Sequence, residues 1–267
     1  MEEELMIRAL HSSASGMYAQ ELNIDSIANN LSNVNTTGYK KSHAQFQDLL
    51  YQNLRTSGVE NALGNVVPAD LQVGTGVKTV SVSRDMGQGD VVQTGGKLDL
   101  AIEGEGFFQV RQLDGTLAYT RDGSFKLSSE GVLVTADGLT LEPETTVPQG
   151  AVDVQVSRDG VVSVLVAGDS AAVQIGTLEV AVFTNPAGLR AIGQNLYEET
   201  AASGAPQLGA PATEQFGQIA QGYLEGSNVK VVEEMVAMIA AQRAYEVSSK
   251  AIRASDEMLG IASGLRR

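Results

Sequence analysis

Two stripes of apolar residues, one near each end of the chain, recur at a strict spacing of seven. Leu10, Met17, Ile24 and Leu31 form the first, and Val231, Met238, Tyr245, Ile252 and Leu259 the second. A spacing of seven holds one stripe on one side of a slightly underwound helix, which is coiled-coil geometry. Ala14 and Ala28 lie four residues after members of the first stripe. Ala241, Ser248, Ser255 and Ala262 lie three residues after members of the second. Large residues alternating with small ones let helix backbones approach closely. A chain with such stripes at both ends is built to pack its ends against helices.

The first helix is expected from about Met6 to Val34, a length of about 40 Å at 1.5 Å per residue. Ile24, Ile27, Leu31 and Val34 share one face, while Ser26, Asn29 and Asn33 fall on the other. Asn29 and Asn33 either cap the helix end or hydrogen-bond to a neighbouring subunit. Asn35-Thr36-Thr37-Gly38 supplies the stop, with Gly38 at a left-handed position. The last helix begins after Ser227 or Asn228, one of them its N-cap, with Glu233 and Glu234 in the first turns. At about 50 Å it is too long to stand alone with an uncovered stripe, so it needs partners.

Between the helices the pattern changes to period two. Asp114-Gly115, Asp122-Gly123, Glu130-Gly131 and Asp137-Gly138 recur every seven or eight residues, the rhythm of short antiparallel hairpins. Val152 to Val156 and Leu178 to Val182 alternate well, and Asp159-Gly160 marks a further turn. Before this region, Leu49, Leu50, Tyr51 and Leu54 form a short helix or an extended strap, and 57–70 reads as a long loop. Gly204, Pro206, Gly209 and Pro211 mark a return linker. The expected fold is therefore α+β: long N- and C-terminal helices pairing as a coiled coil, around a central, mainly antiparallel all-β domain. The segments are 1–40 (first helix), 41–95 (linker and strap), 96–199 (β-domain), 200–227 (return linker) and 228–267 (second helix).

The formal net charge is −14, and residues 44–227 alone carry 9 basic and 22 acidic side chains. An acidic middle lacks the basic footprint that nucleic acid requires. No apolar run is long enough to span a bilayer, and the start Met1-Glu2-Glu3-Glu4 is acidic where a secretory signal is basic. The chain has no Cys, which excludes disulfides and thiolate metal sites. No phosphate-binding loop, nucleophile elbow or paired-histidine metal motif is present. His11 and His43 are isolated. Glu103 and Glu105 could share one strand face as a carboxylate pair, but such pairs are far more often solvated. The residues point to no catalytic group, no metal and no cofactor.

Ile27-Ala28-Asn29-Asn30-Leu31-Ser32-Asn33-Val34-Asn35-Thr36-Thr37-Gly38-Tyr39-Lys40 resembles the N-terminal signature of the bacterial flagellar rod and hook family. Gly104-Glu105-Gly106-Phe107-Phe108 and Tyr119-Thr120-Arg121-Asp122-Gly123-Ser124-Phe125 resemble its central signatures. Ser227-Asn228-Val229, Glu234-Met235-Val236 and Gln242-Arg243-Ala244-Tyr245-Glu246 resemble its C-terminal one. Asp48-Leu49-Leu50-Tyr51-Gln52, leading to Leu71-Gln72-Val73-Gly74-Thr75-Gly76-Val77, resembles an extension found in the distal rod branch. The acidic stretch Met1 to Leu5 departs from the usual start.

The resemblance implies a structural homopolymer. The terminal helices would form an inner layer around a channel, the β-domain an outer layer, and the strap a brace between neighbours. It implies contacts with proximal rod and hook subunits and with the basal-body rings. It also implies passage through the flagellar type III export apparatus without a cleaved signal, no membrane insertion, and a place in the basal body from periplasm to outer membrane. The alternatives are another axial subunit (proximal rod or hook) and, from a different class, a secreted β-domain adhesin.

Overall fold

A computed structural model describes residues 2–55, 69–167, 171–213 and 215–264. The chain divides into two units. The first comprises Met1–Leu31, Ser42–Ser83 and Val231–Arg267, and the second Ser32–Lys41 and Arg84–Lys230.

The first unit contains helix α1 (Glu2–Ser32) and helix α2 (Val231–Gly264). Glu233 and Glu234 sit in the first turn of α2, where carboxylates complement the positive end of the helix dipole. The expected cap is placed differently: α2 starts at Val231, and Asn228 precedes it with its side chain engaged elsewhere. The unit also holds a two-stranded ribbon. Strand Ser42–Asp48 pairs with Val77–Arg84, and Gln52–Arg55 pairs antiparallel with Leu71–Val73. The strap is thus extended rather than helical, and most of the loop read at 57–70 lies outside the described residues.

The second unit is β-rich. Its largest sheet has seven strands, running in spatial order Arg190–Gly193, Leu196–Glu198, Leu117–Thr120, Phe108–Arg111, Thr140–Glu142, Leu133–Val134 and Lys126–Leu127. All the registered pairs in it are antiparallel. A three-stranded sheet follows from Ala151–Val156, Val161–Val166 and Val173–Thr177. There the period-two pattern has its physical meaning, with Val162 and Val164 fully buried. The stretch 200–227 carries three more strands: Gln207–Gly209 pairs with Val180–Val182, Gln218–Gln221 with Leu100–Glu103, and Tyr223–Glu225 with Val91–Gln93. A linker reading of that stretch rests on its Gly and Pro content, whereas Ile219 is a core residue.

One core gathers Leu100, Ile102, Phe108, Val110, Leu141, Val162, Val180 and Ile219, each worth about 1.5–3 kcal/mol when fully buried. A second cluster is aromatic: Phe107 meets Phe183 and Tyr197 edge-on at 5.9 Å, and Tyr119 meets Phe183 at 4.8 Å. Gly115, Gly131, Gly138 and Gly160 occupy the left-handed region that the turn pairs require. Gly123 is different. A Cβ there would stand 1.6 Å from the Leu100 carbonyl oxygen, so the glycine of Asp122-Gly123 serves close chain approach rather than a hairpin turn.

Candidate assembly surfaces and the clasp of the terminal segments

In the first unit, the Asn30 amide donates to Glu234 Oε2 at 3.1 Å, and a Cβ on Gly16 would lie 3.6 Å from Ser248 Oγ. Asn30 to Gly16 runs back along α1 by the same number of residues as Glu234 to Ser248 runs forward along α2, so the helices lie antiparallel in one register. The small residues of the second pattern face inward: Ala241 and Ser255 are buried and Ser248 half-buried. Met238, Ile252 and Leu259 are half-buried beside them, while Val231 and Tyr245 remain exposed. On α1, Leu10, Met17, Ile24 and Leu31 are all half-buried.

The asparagines sort in a way the periodicity did not reveal. Asn29 is exposed, and Asn33 is half-buried and accepts a hydrogen bond from Thr36 Oγ1 at 3.2 Å. The buried one is Asn30. Its Nδ2 donates to the Ser42 carbonyl at 2.8 Å, and its Oδ1 accepts the Ser42 N–H at 2.9 Å. Ser26, placed by periodicity on a polar face, is also buried and donates to the same carbonyl at 3.0 Å. The polar face of α1 is therefore where the ribbon starts.

The ribbon then follows α1 back toward its N-terminus. The Val77 N–H donates to Ser15 Oγ at 3.2 Å, and Arg8 Nη1 donates to Gln52 Oε1 at 2.7 Å. Close approach is built in at Gly76, where a Cβ would stand 2.3 Å from Ser15 Oγ. Of the strap residues, Leu49 is half-buried, whereas Leu50 (90% exposed), Tyr51 and Leu54 are uncovered. Phe46, Leu71, Val80 and Val82 are exposed on the same ribbon. On α2, Val232, Met235, Val236, Ile239, Val247, Met258 and Ile261 are exposed by 51–75%. Singly exposed apolar residues are ordinary, but a row along one helix and another along a ribbon mark surfaces for partners.

In the second unit, three chain passages meet: 38–41, 85–90 and 225–228. The Gly38 N–H donates to the Glu225 carbonyl at 2.8 Å, Asp85 N–H to the Lys41 carbonyl at 2.9 Å, and Gly226 N–H to the Asp90 carbonyl at 2.8 Å. Asn228 joins all three: its Oδ1 accepts the Lys41 N–H at 2.7 Å, and its Nδ2 donates to the Asp85 and Gly87 carbonyls at 2.9 and 3.2 Å. At the centre lies a buried charge cluster. Glu225 Oε1 accepts from Lys40 Nζ at 2.5 Å and from the Gly89 N–H at 2.9 Å; Oε2 accepts from Arg121 Nη1 at 3.2 Å. The side chains of Lys40 and Glu225 are completely buried, and that of Arg121 nearly so.

Two cations thus share one carboxylate. Burial pushes the Lys40 ammonium below its ordinary value, opposed by Glu225 and reinforced by the Arg121 charge. Burial likewise lowers Arg121, again opposed by Glu225. Arg121 is held further by its Nη2 donating to the Gly104 carbonyl at 2.8 Å and by the Phe107 ring, 5.2 Å from the guanidinium carbon. Lys40 and Arg121 come from two of the sequence signatures. Glu225 ends the strand Tyr223–Glu225, inside the stretch 200–227 that reads as a return linker, and nothing there marks it as the shared anion.

Glu103 and Glu105 are exposed beside a cavity of about 750 Å³. Glu103 Oε2 accepts from Gln218 Nε2 at 2.6 Å. His11 is exposed on α1, and the exposed His43 ring contacts Ser83 Oγ at 3.2 Å. Among the described residues, no cluster of three or more His, Asp or Glu could hold a metal, and no helix is long and apolar enough to cross a membrane.

Family comparisons place three parts of the chain. Residues 10–40 match the model described as flagella basal body rod protein, 101–164 the flagellar hook protein FlgE/F/G D1 domain, and 220–265 the flagellar basal body rod FlgEFG protein C-terminal. The chain is 48% identical to the flagellar basal-body rod protein FlgG of Borreliella burgdorferi, over 98% of this chain and 100% of that one. It is 46% identical to the FlgG of Caulobacter vibrioides, over 97% and 100%. The FlgF rod protein of the same Caulobacter is 35% identical over 92% of each. The two FlgG alignments run over nearly the whole chain, and the chain belongs to the flagellar basal-body rod protein family.

Proposed function

We propose that this chain is the distal rod subunit: a structural homopolymer that forms a rigid tube, transmits motor torque to the hook and encloses the export channel. One observation carries the reading. The chain aligns end to end with FlgG relatives, and in Caulobacter the FlgG is closer to it than the FlgF. That difference favours the FlgG branch over another axial subunit. The adhesin alternative has no support from any of these relatives.

In this reading α1 and α2 pair as a coiled coil in the inner layer, with Leu10, Met17, Ile24, Leu31, Met238, Ile252 and Leu259 in the seam. The exposed row on α2 meets the helices of a second copy. The ribbon, with Leu50, Tyr51 and Leu54, braces neighbours, because a heterologous contact that repeats without closing generates a tube. Proximal rod subunits, hook subunits and the surrounding rings are the remaining partners. The chain reaches the basal body through the type III export apparatus, and its ends complete their folding on assembly.

The test is Val236→Asp with Ile239→Asp in the full chain. Both residues are exposed, so the monomer keeps its helix content by circular dichroism. Rods and hooks are expected to be missing in cells that carry only this variant. Normal rods and hooks would contradict the helix-to-helix assembly.

A further inference from the structure

The buried charge cluster has an asymmetry in chain order. Its two cations come from residues 40 and 121, and its single anion from residue 225, separated from them by 185 and 104 residues. The nearest other carboxylates are poor substitutes. Asp85 acts on Lys40 and Glu105 on Arg121 only through longer-range attraction, and both are exposed to water. If the β-rich unit packed without 218–228, Lys40 and Arg121 would be buried with no anion, which costs several kcal/mol per ion. The same segment supplies the partners of two strands: Gln218–Gln221 for Leu100–Glu103, and Tyr223–Glu225 for Val91–Gln93. It also supplies Ile219 to the core and Asn228 to all three passages.

We propose that Glu225 is the closing residue of the β-rich unit, docking after the remaining sheets have formed and keeping the site around Lys40 and Arg121 open until then. The central hairpins need no such wait. Phe108–Arg111 and Leu117–Thr120 pair across a short turn, so their contacts are local and cheap in loop entropy. Glu225 contacts are the reverse, and they become favourable only when water is excluded. A late-closing anion would keep an emerging chain from locking prematurely. That use rests on the export reading above, whereas the folding order does not.

The experiment is stopped-flow refolding and unfolding of the full-length monomer in urea, followed by tyrosine fluorescence. Variants Glu225→Gln, Lys40→Met and, in the central hairpin, Val110→Ala are compared with the parent. A residue that docks after the folding barrier changes only the unfolding rate. Glu225→Gln is expected to unfold roughly 10²- to 10⁴-fold faster while refolding within about twofold of the parent. Val110→Ala is expected to slow refolding. If Glu225→Gln does not fold, Lys40→Met reads the same point, because it leaves Glu225 paired with Arg121. It too should refold at the parent rate. Refolding slowed by either cluster variant in proportion to its loss of stability would overturn the proposal. Because the measurement uses monomer alone, failure of the export or rod reading leaves it unaffected.

Discussion

Asn30 and Glu234 are 204 residues apart in sequence, yet the amide of one donates to the carboxylate of the other at 3.1 Å. The same Asn30 side chain brackets the Ser42 backbone with a donor and an acceptor. One buried side chain therefore ties together α1, α2 and the start of the ribbon. Asn30→Ala removes all of these bonds and leaves buried polar groups unpaired, at a cost of about 1–3 kcal/mol. The first unit is expected to melt earlier in thermal circular dichroism at 222 nm. Asn29→Ala, at an exposed position, should leave the melt unchanged within about 0.5 kcal/mol.

The charge cluster predicts an order among its own variants. Glu225→Gln strands two buried cations and should cost about 3–5 kcal/mol. Lys40→Met leaves one cation facing one anion and should cost much less. Equilibrium urea denaturation of both variants checks the ranking, and equal losses would mean that Lys40 and Arg121 do not share the carboxylate.

Lys40 also sets a pH dependence. Its folded-state pKa lies below the ordinary 10.5, because burial outweighs the attraction of Glu225. Below the folded value the ammonium is charged in both states and its burial penalty is present in full. Between that value and 10.5 the unfolded chain holds more protons, so this residue's contribution to stability rises with pH. The stability difference, parent minus Lys40→Met, should therefore grow as pH climbs toward 10.5 in parallel urea titrations. A flat or shrinking difference would contradict the direction.

Gly38 joins a left-handed turn to a close chain contact. Its φ is +65°, and a Cβ there would stand 2.7 Å from both the Arg121 carbonyl carbon and the Asp122 nitrogen. Backbone atoms cannot yield as a flexible side chain can. Gly38→Ala should destabilise the β-rich unit by about 2 kcal/mol or more, well beyond the roughly 1 kcal/mol of a simple left-handed strain. Loss of buried tyrosine signal at lower urea concentration is the readout. Gly95→Ala is the control, since it is also left-handed (φ +73°) but faces open space.

Much of this was legible in the residues. The seven-residue stripes gave both helices, and the turn pairs with alternating valines gave the sheets, because those signals are local and periodic. Among the small residues of the second pattern, Ala241 and Ser255 are buried and Ser248 is half-buried. What escaped was long-range. Asn228 looks like a helix cap because capping is a local rule, yet its side chain serves passages more than a hundred residues away. Asn30 hides between Asn29 and Leu31, since helical periodicity cannot say which polar residue a ribbon will cover. The strands at 207–225 were obscured by Gly and Pro that punctuate a sheet edge rather than a linker.

Electron microscopy of flagellar basal bodies from a strain lacking this chain tests the central claim most directly. A rod that stops short and bears no hook, restored by the intact gene, is the expected result for a distal rod subunit. Complete, hooked basal bodies in that strain would contradict it.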